Sequence, residues 1–235
     1  MHELTFVLVP GAGGSAWYWH LLEPLLQAHG HGCIAVELPA ADDRAGLPEY
    51  AETVVRAIGD RDPGRVVLVA QSLGGFTAPL VCQRTRPALL VLVNAMIPKP
   101  GETPGAWWGN TGHAAAKQKQ NLRDGRAADA AFDLRADFFH DVPPSVTQEA
   151  MAQGAPQQSE TIFGSPCSFD AWPAVPTRVL VGHDDRFFPA DFQQRVARDR
   201  LGMAADVMPG GHLLALSQPA ELAARLMAWA GQVRV

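Results

Sequence analysis

Three short stretches of this 235-residue chain carry side chains that could act on one another. The first is Val66-Val67-Leu68-Val69-Ala70-Gln71-Ser72-Leu73-Gly74-Gly75, an apolar run that empties into a small-x-Ser-x-small turn. A serine at such a strand-to-helix turn is lifted above the end of the sheet. Ala70 and Gly74 suit the crowding of that turn, and Gly75 lets the following helix pack close. A serine hydroxyl is a weak nucleophile by itself and needs a base, which in turn needs an orienting acid. The second stretch, Val179–Pro189, is an apolar strand that empties at Gly182 into His183-Asp184-Asp185 and offers two carboxylates. The third, Val207-Met208-Pro209-Gly210-Gly211-His212, presents a histidine on a turn. His212 can take the Ser72 proton, and Asp184 or Asp185 can hold the far imidazole nitrogen protonated. That is the chemistry of nucleophilic attack on a carbonyl carbon. The attack builds a negative oxygen, which calls for fixed N–H donors. The Leu73 backbone amide is one. The glycine-rich turn Pro10-Gly11-Ala12-Gly13-Gly14 offers the other, assigned to Ala12 with Gly11 and Gly13 as alternatives.

Positioning these groups requires strands that end together. Short apolar runs at 4–9, 32–37, 65–70, 88–94, 177–182 and 204–208 predict six strands. Their unbroken hydrophobicity suits a mostly parallel sheet covered on both faces. Helical patterns at 17–29, 48–59, 74–85, 189–200 and 219–232 alternate with them, and three open on proline. The expected class is α/β, a doubly wound sheet with right-handed crossovers. Open sheets of this kind place ligands at the C-terminal strand ends, where all three motifs fall.

Between residues 97 and 172 the alternation stops. Seventy-odd residues without a clear strand are too many for a plain crossover. They predict an inserted helical cap, with residues 1–96 and 173–235 forming the core domain. A polar helical pattern spans 114–129. Trp107, Trp108, Phe138 and Phe139 are the cap's candidates for lining an apolar substrate pocket, and the same rings suit packing the cap onto the body. Trp17 and Trp19 are expected to pack the first helix. His113 and His140 are expected at the surface or hydrogen-bonded, and Arg186, Lys99, Lys117 and Lys119 in solvent.

Composition limits the remaining possibilities. Hydrophobic residues make up 47% and charged residues 18%, which suits a globular enzyme rather than a disordered chain. A net charge of −5 argues against nucleic acid and anionic membrane partners. The three cysteines, Cys33, Cys82 and Cys167, lie far apart and show neither metal spacing nor a disulfide framework. No metal or other cofactor is expected. Met1-His2-Glu3 leads directly into a strand without a basic, then long apolar, leader, so a cytoplasmic protein is expected. The glycine turn matches no phosphate-loop pattern.

Taken together, Phe6–Trp17, the Ser72 elbow and the Gly211-His212-Leu213-Leu214-Ala215-Leu216-Ser217-Gln218-Pro219 run resemble the α/β-hydrolase superfamily over essentially the whole chain. The layout is similar to its small six-stranded members related to plant methyl esterases and hydroxynitrile lyases. The resemblance makes Asp185 the acid, since Gly182 to Pro189 fits G-x-x-D-x-x-x-P. It implies a serine hydrolase for a small to medium, largely apolar ester, lactone or thioester, without a cofactor. Other members of the fold act as small-molecule sensors, or cyclise or isomerise carbonyl compounds, and both remain alternatives. Three positions depart from the family pattern. Pro10 replaces a histidine that braces the oxyanion turn in relatives, and Ala70 replaces the commoner glycine. Leu213 and Ala12 stand where hydroxynitrile lyases carry lysine and threonine, which argues against cyanohydrin cleavage.

Overall fold

In the computed structural model, which describes residues 3–233, six parallel strands form one sheet in the order β2-β1-β3-β4-β5-β6. They are β1 (Thr5–Val9), β2 (Gly32–Ala35), β3 (Val66–Gln71), β4 (Leu89–Val93), β5 (Thr177–Gly182) and β6 (Asp206–Met208). Met1, His2, Arg234 and Val235, which the sequence reading assigns to the N-terminal leader-free start and the end of the core, lie outside the described residues. All predicted strands are present. β2, β4 and β6 are each two residues shorter than expected; on the edge strands β2 and β6, which pair on one side only, both residues come off one end, where the register with the partner ends at Leu8↔Ala35 and begins at Leu180↔Asp206.

Chain order reverses direction across the sheet between β1 and β3, whose registers run Thr5↔Val66 to Val9↔Ala70. That reversal opens a crevice at the C-terminal ends of these two strands. The glycine turn leaves β1 there, and Ser72 leaves β3.

The helices are α1 (Glu23–Ala28), α2 (Leu47–Ile58), α3 (Gly74–Thr85), α4 (Pro104–Thr111), α5 (His113–Arg123), α6 (Leu134–Asp137), α7 (Pro144–Ala152), α8 (Thr161–Gly164), α9 (Ala190–Leu201), α10 (Leu214–Ser217) and α11 (Pro219–Ala230). Alternate residues of each central strand feed opposite faces. Val7, Val9, Leu68 and Ala70 pack with Tyr50 and Val54 of α2, Phe76 and Val81 of α3, and Val196 of α9. Phe6, Leu8, Val67 and Val69 pack with Leu26 of α1 and Leu222 and Leu226 of α11. With both faces covered, a strand has no solvent side, and this explains the unbroken apolar runs.

The predicted helix at 17–29 is instead a 3₁₀ turn (Ala16–Trp19) and the short α1. Pro24, the second residue of α1, has no N–H to donate back to the preceding turn, so the two segments do not fuse into one hydrogen-bonded helix. The helix expected over 114–129 stops at Arg123, followed by Gly125 at φ 71°. Pro189 caps α9 from outside rather than opening it.

Five helices, α4 to α8, occupy the connection from β4 to β5. Its root is fastened by a buried ion pair, Arg200 of α9 with Glu102, which also accepts from Asn110 Nδ2 at 2.8 Å. Inside it, Asp137 accepts from Lys117 (2.7 Å) and from Arg126. Lys117 is therefore not a solvated lysine: its side chain is 13% exposed and neutralises a fully buried carboxylate. Burial pushes the thiols of Cys33, Cys82 and Cys167 up to about 12 in pKa, which leaves them as inert packing groups. No helix among the described residues is long and apolar enough to cross a membrane.

Candidate active site

The turn after β3 holds Ser72 at φ 49°, a left-handed conformation uncommon for a residue with a Cβ. Neighbouring strands keep it there. Ser72 N–H donates to Val93 O (3.3 Å), and Ser72 O accepts from Gly75 N–H (3.0 Å) and Met96 N–H (2.9 Å). Strain imposed by surrounding bonds in this way is a mark of functional turns.

Gly75 shows how tight the elbow is. A Cβ placed there would lie 2.0 Å from Met96 O, a backbone atom with no freedom to yield. Helix propensity alone would favour alanine by about 1 kcal/mol. We expect the close approach to win: Gly75→Ala should lower stability by about 2 kcal/mol in urea unfolding, because overpacking in a rigid site commonly costs about 1–3 kcal/mol.

Ser72, His212 and Asp185, far apart in the chain, meet at the C-terminal strand ends. His212 Nε2 lies 3.1 Å from Ser72 Oγ, and His212 Nδ1 lies 2.8 Å from Asp185 Oδ2. All three are buried. A carboxylate only accepts, so Nδ1 carries the proton and Nε2 is left as the acceptor facing Ser72. The other Asp185 oxygen, Oδ1, accepts from the Phe187 and Phe188 amides at 2.9 and 2.7 Å. Gln193 Nε2 donates to Oδ2 at 3.2 Å. Four donors thus hold a carboxylate that, among the described residues, no Lys or Arg pairs with.

Asp184 does not join this set. It is about half exposed, bonded to His183 Nδ1 (2.7 Å), and accepts from Gly210 N–H (3.1 Å).

Aromatic rings enclose the histidine. Phe138 stacks on it at 4.6 Å and 17°, while Phe187 and Phe188 meet it edge-on at 5.3 and 5.1 Å. Excluding water here strengthens the His212–Asp185 interaction.

Sequence reasoning missed the residues that hold this arrangement together. Asn94, at φ 43° just past β4, donates through Nδ2 to Gly211 O (2.9 Å) and His212 O (3.1 Å), and its Oδ1 accepts from Gly182 N–H (2.7 Å). One side chain therefore locks the ends of β4 and β5 and the His212 turn together. A polar residue closing an apolar strand was its only signal. Gln193 and Asp141 had none: Asp141 Oδ2 accepts from Gly211 N–H at 2.6 Å, one residue ahead of His212.

Ser72 and His212 open onto a cavity of about 480 Å³. Ala12 and Leu73 both line it, as do Trp108, Phe138 and Phe139. Trp107 does not. It is buried on the far side of Trp108 against Phe188 and Phe192, with its indole N–H donating to Ile97 O at 3.1 Å. Adjacent residues on a helix point about 100° apart, so one of the Trp107-Trp108 pair faces the cavity and the other the core. Leu134, Met151, Phe163 and Phe187 complete the apolar wall, and Trp17 reaches it while Trp19 is core. Among the described residues, the cavity is lined by no Asp, Glu, Lys or Arg. His113 sits behind the wall, bonded to Phe187 O at 2.7 Å, and burial lowers its pKa. Arg186 reaches Ala136 O at 3.2 Å rather than the cavity.

In the glycine turn, Gly11 passes so close to the elbow that a Cβ there would sit 2.8 Å from Ser72 Cβ. The Gly13 amide, one of the alternatives to Ala12, donates to Gln158 Oε1 at 2.9 Å and is thereby occupied.

A parallel sheet with a strained serine elbow and a histidine turn at adjoining strand ends defines an α/β hydrolase. The family model described as the alpha/beta hydrolase family matches residues 6–225, and the chain belongs to that family. Among curated proteins it is 22% identical over 243 residues to norfluorocurarine synthase 1 of a Strychnos species, covering 92% of this chain and 91% of that one. It is 34% identical over 109 residues to polyneuridine aldehyde esterase of Rauvolfia serpentina, an alignment covering 42% of this chain and 41% of the esterase. The crystal structure of polyneuridine aldehyde esterase superposes with a TM-score of 0.77 at 21% identity, covering 97% of this chain and 100% of that one.

Proposed function

We propose that this chain is a serine hydrolase for a neutral, largely apolar carboxylic ester, lactone or thioester, working through an acyl-enzyme. The observation that carries the proposal is the unbroken hydrogen-bonded series Asp185–His212–Ser72 at the foot of an apolar cavity. Ser72 Oγ attacks the carbonyl carbon while His212 Nε2 takes its proton. The Leu73 and Ala12 amides receive the charge that develops on the carbonyl oxygen. As the tetrahedral species collapses, His212 returns the proton to the departing alkoxide or thiolate. Water then attacks the acyl-enzyme with His212 as base, and the acid leaves with Ser72 restored. No step requires a cofactor.

A wall without charged side chains selects for an uncharged substrate, because an ion entering it would lose its hydration without a counter-ion. A cavity of about 480 Å³ suits a substrate of medium size. Residues 97–172 serve, on this proposal, as a cap that supplies Trp108, Leu134, Phe138, Phe139, Met151 and Phe163 to the wall and shields the acyl-enzyme. The esterase similarity supports the reaction class.

A second reading follows from the similarity over nearly the full chain to a synthase. There the same pocket would convert a carbonyl compound without adding water. Turnover of a neutral aryl ester in ¹⁸O-labelled water separates the two. The hydrolase reading expects one labelled oxygen in the released acid; an ester consumed with no label incorporated would overturn it.

A further inference from the structure

The turn that brings Ala12 to the cavity is sparsely held from within. Gly14 N–H closes it onto Gly11 O at 3.1 Å, and Leu38 N–H donates to Gly14 O at 2.9 Å. Pro10, which opens the turn, has no N–H and no polar side chain with which to brace it. The remaining tie comes from a distant part of the chain. Gln158, between α7 and α8, accepts the Gly13 N–H through Oε1. Its Nε2 donates to Tyr50 Oη at 3.1 Å and to Ser159 O at 3.2 Å. With acceptor and donor ends both engaged, the amide has one orientation.

The support under Gln158 is firm. Tyr50 is buried in α2. Ser159 N–H donates to Ala40 O at 2.7 Å, and Thr161 Oγ1 donates to Asp43 O at 2.8 Å, which fastens this segment to the loop between β2 and α2. Two residues ahead of Gln158, Pro156 covers the glycine turn so closely that a Cβ on Gly13 would meet it at 2.6 Å. Pro156 also lines the cavity.

We infer that Gln158 is a positioning residue for the oxyanion turn. Its carbonyl fixes the peptide plane between Ala12 and Gly13, which limits rotation about Ala12 Cα and so restrains the neighbouring Gly11–Ala12 plane, whose Ala12 N–H is the donor for the oxygen that becomes charged. The segment that walls the cavity thereby does the bracing that Pro10 cannot. The inference rests on the serine hydrolase reading above and adds to it a residue that never touches the substrate.

The test uses Gln158→Leu, which keeps bulk and loses the acceptor, and Gln158→Glu, which keeps it. Each is compared with wild type on a p-nitrophenyl ester. Inhibition is also measured with a trifluoromethyl ketone, which forms an oxyanion with a serine, and with the methyl ketone of the same carbon chain, which stays trigonal. A whole oxyanion donor is worth about 10²–10³ in rate, so a misaimed one should cost about ten-fold in kcat. We expect that loss in Gln158→Leu, with KM within about two-fold, trifluoromethyl ketone affinity down by a similar factor and methyl ketone affinity unchanged. Gln158→Glu should stay within about three-fold of wild type on every measure. If Gln158→Leu does not fold, Tyr50→Phe, which frees the other end of the amide, should move kcat and the ketone ratio together by about three-fold. Unchanged kcat, equal weakening of both ketones, or a loss that glutamate does not rescue would overturn the inference. A wild-type protein that neither hydrolyses the ester nor prefers the trifluoromethyl ketone overturns the serine hydrolase reading instead.

Discussion

Replacing Ser72 by alanine is expected to lower kcat for a short-chain p-nitrophenyl ester by about 10⁶-fold, the loss known for removing a triad serine. Among the described residues the side-chain bond lost is that to His212 Nε2 alone, and the left-handed backbone costs alanine much what it costs serine. The thermal midpoint should therefore stay close to wild type while turnover disappears. His212→Ala should lose about as much, and the double variant no more than either single one, because nucleophile and base act as a unit. Turnover by Ser72→Ala within ten-fold of wild type would remove Ser72 from the chemistry. Such a result would leave the cavity in need of another nucleophile, and among the described residues no cysteine lines it.

Asp185→Asn should cost about 10⁴-fold in kcat. The reason lies in its four donors. An asparagine presents one oxygen and one NH₂ where two acceptor oxygens are needed. If its oxygen stays with the Phe187 and Phe188 amides, its NH₂ faces His212 Nδ1. The imidazole must then carry its proton on Nε2, the nitrogen that has to accept from Ser72. Asp184→Asn is the matched control, since Asp184 supports Gly210 at the surface and does not reach His212. Its loss should stay within about ten-fold. A pH–rate profile of both variants makes the assignment, and equal losses would refute Asp185 as the orienting acid.

Much of this was legible before any coordinates. Six apolar runs became six strands because an interior strand of a two-faced parallel sheet has no solvent side, which makes its pattern conspicuous. The elbow was legible because small residues around one serine have a steric cause that survives in any context. Helix ends were less so: 17–29 divides between Trp19 and Glu23, because the missing N–H of Pro24 competes with an otherwise good apolar pattern. Pocket residues were least legible. Trp107 and Trp108 are chemically identical neighbours, and only the rotation of α4 sends one to the core and the other to the cavity.

The sequence alone determined the order serine, carboxylate, histidine, and that each follows an apolar strand. Strand periodicity and turn chemistry are local, and local patterns are written in consecutive residues. The tertiary structure decided that Asn94 and Gln193 hold the far side of the relay, and that Gln158 reaches back across 145 residues to the turn at Gly13. These contacts join segments remote in the chain, and their geometry depends on how helices pack against the sheet. No spacing along the sequence records it.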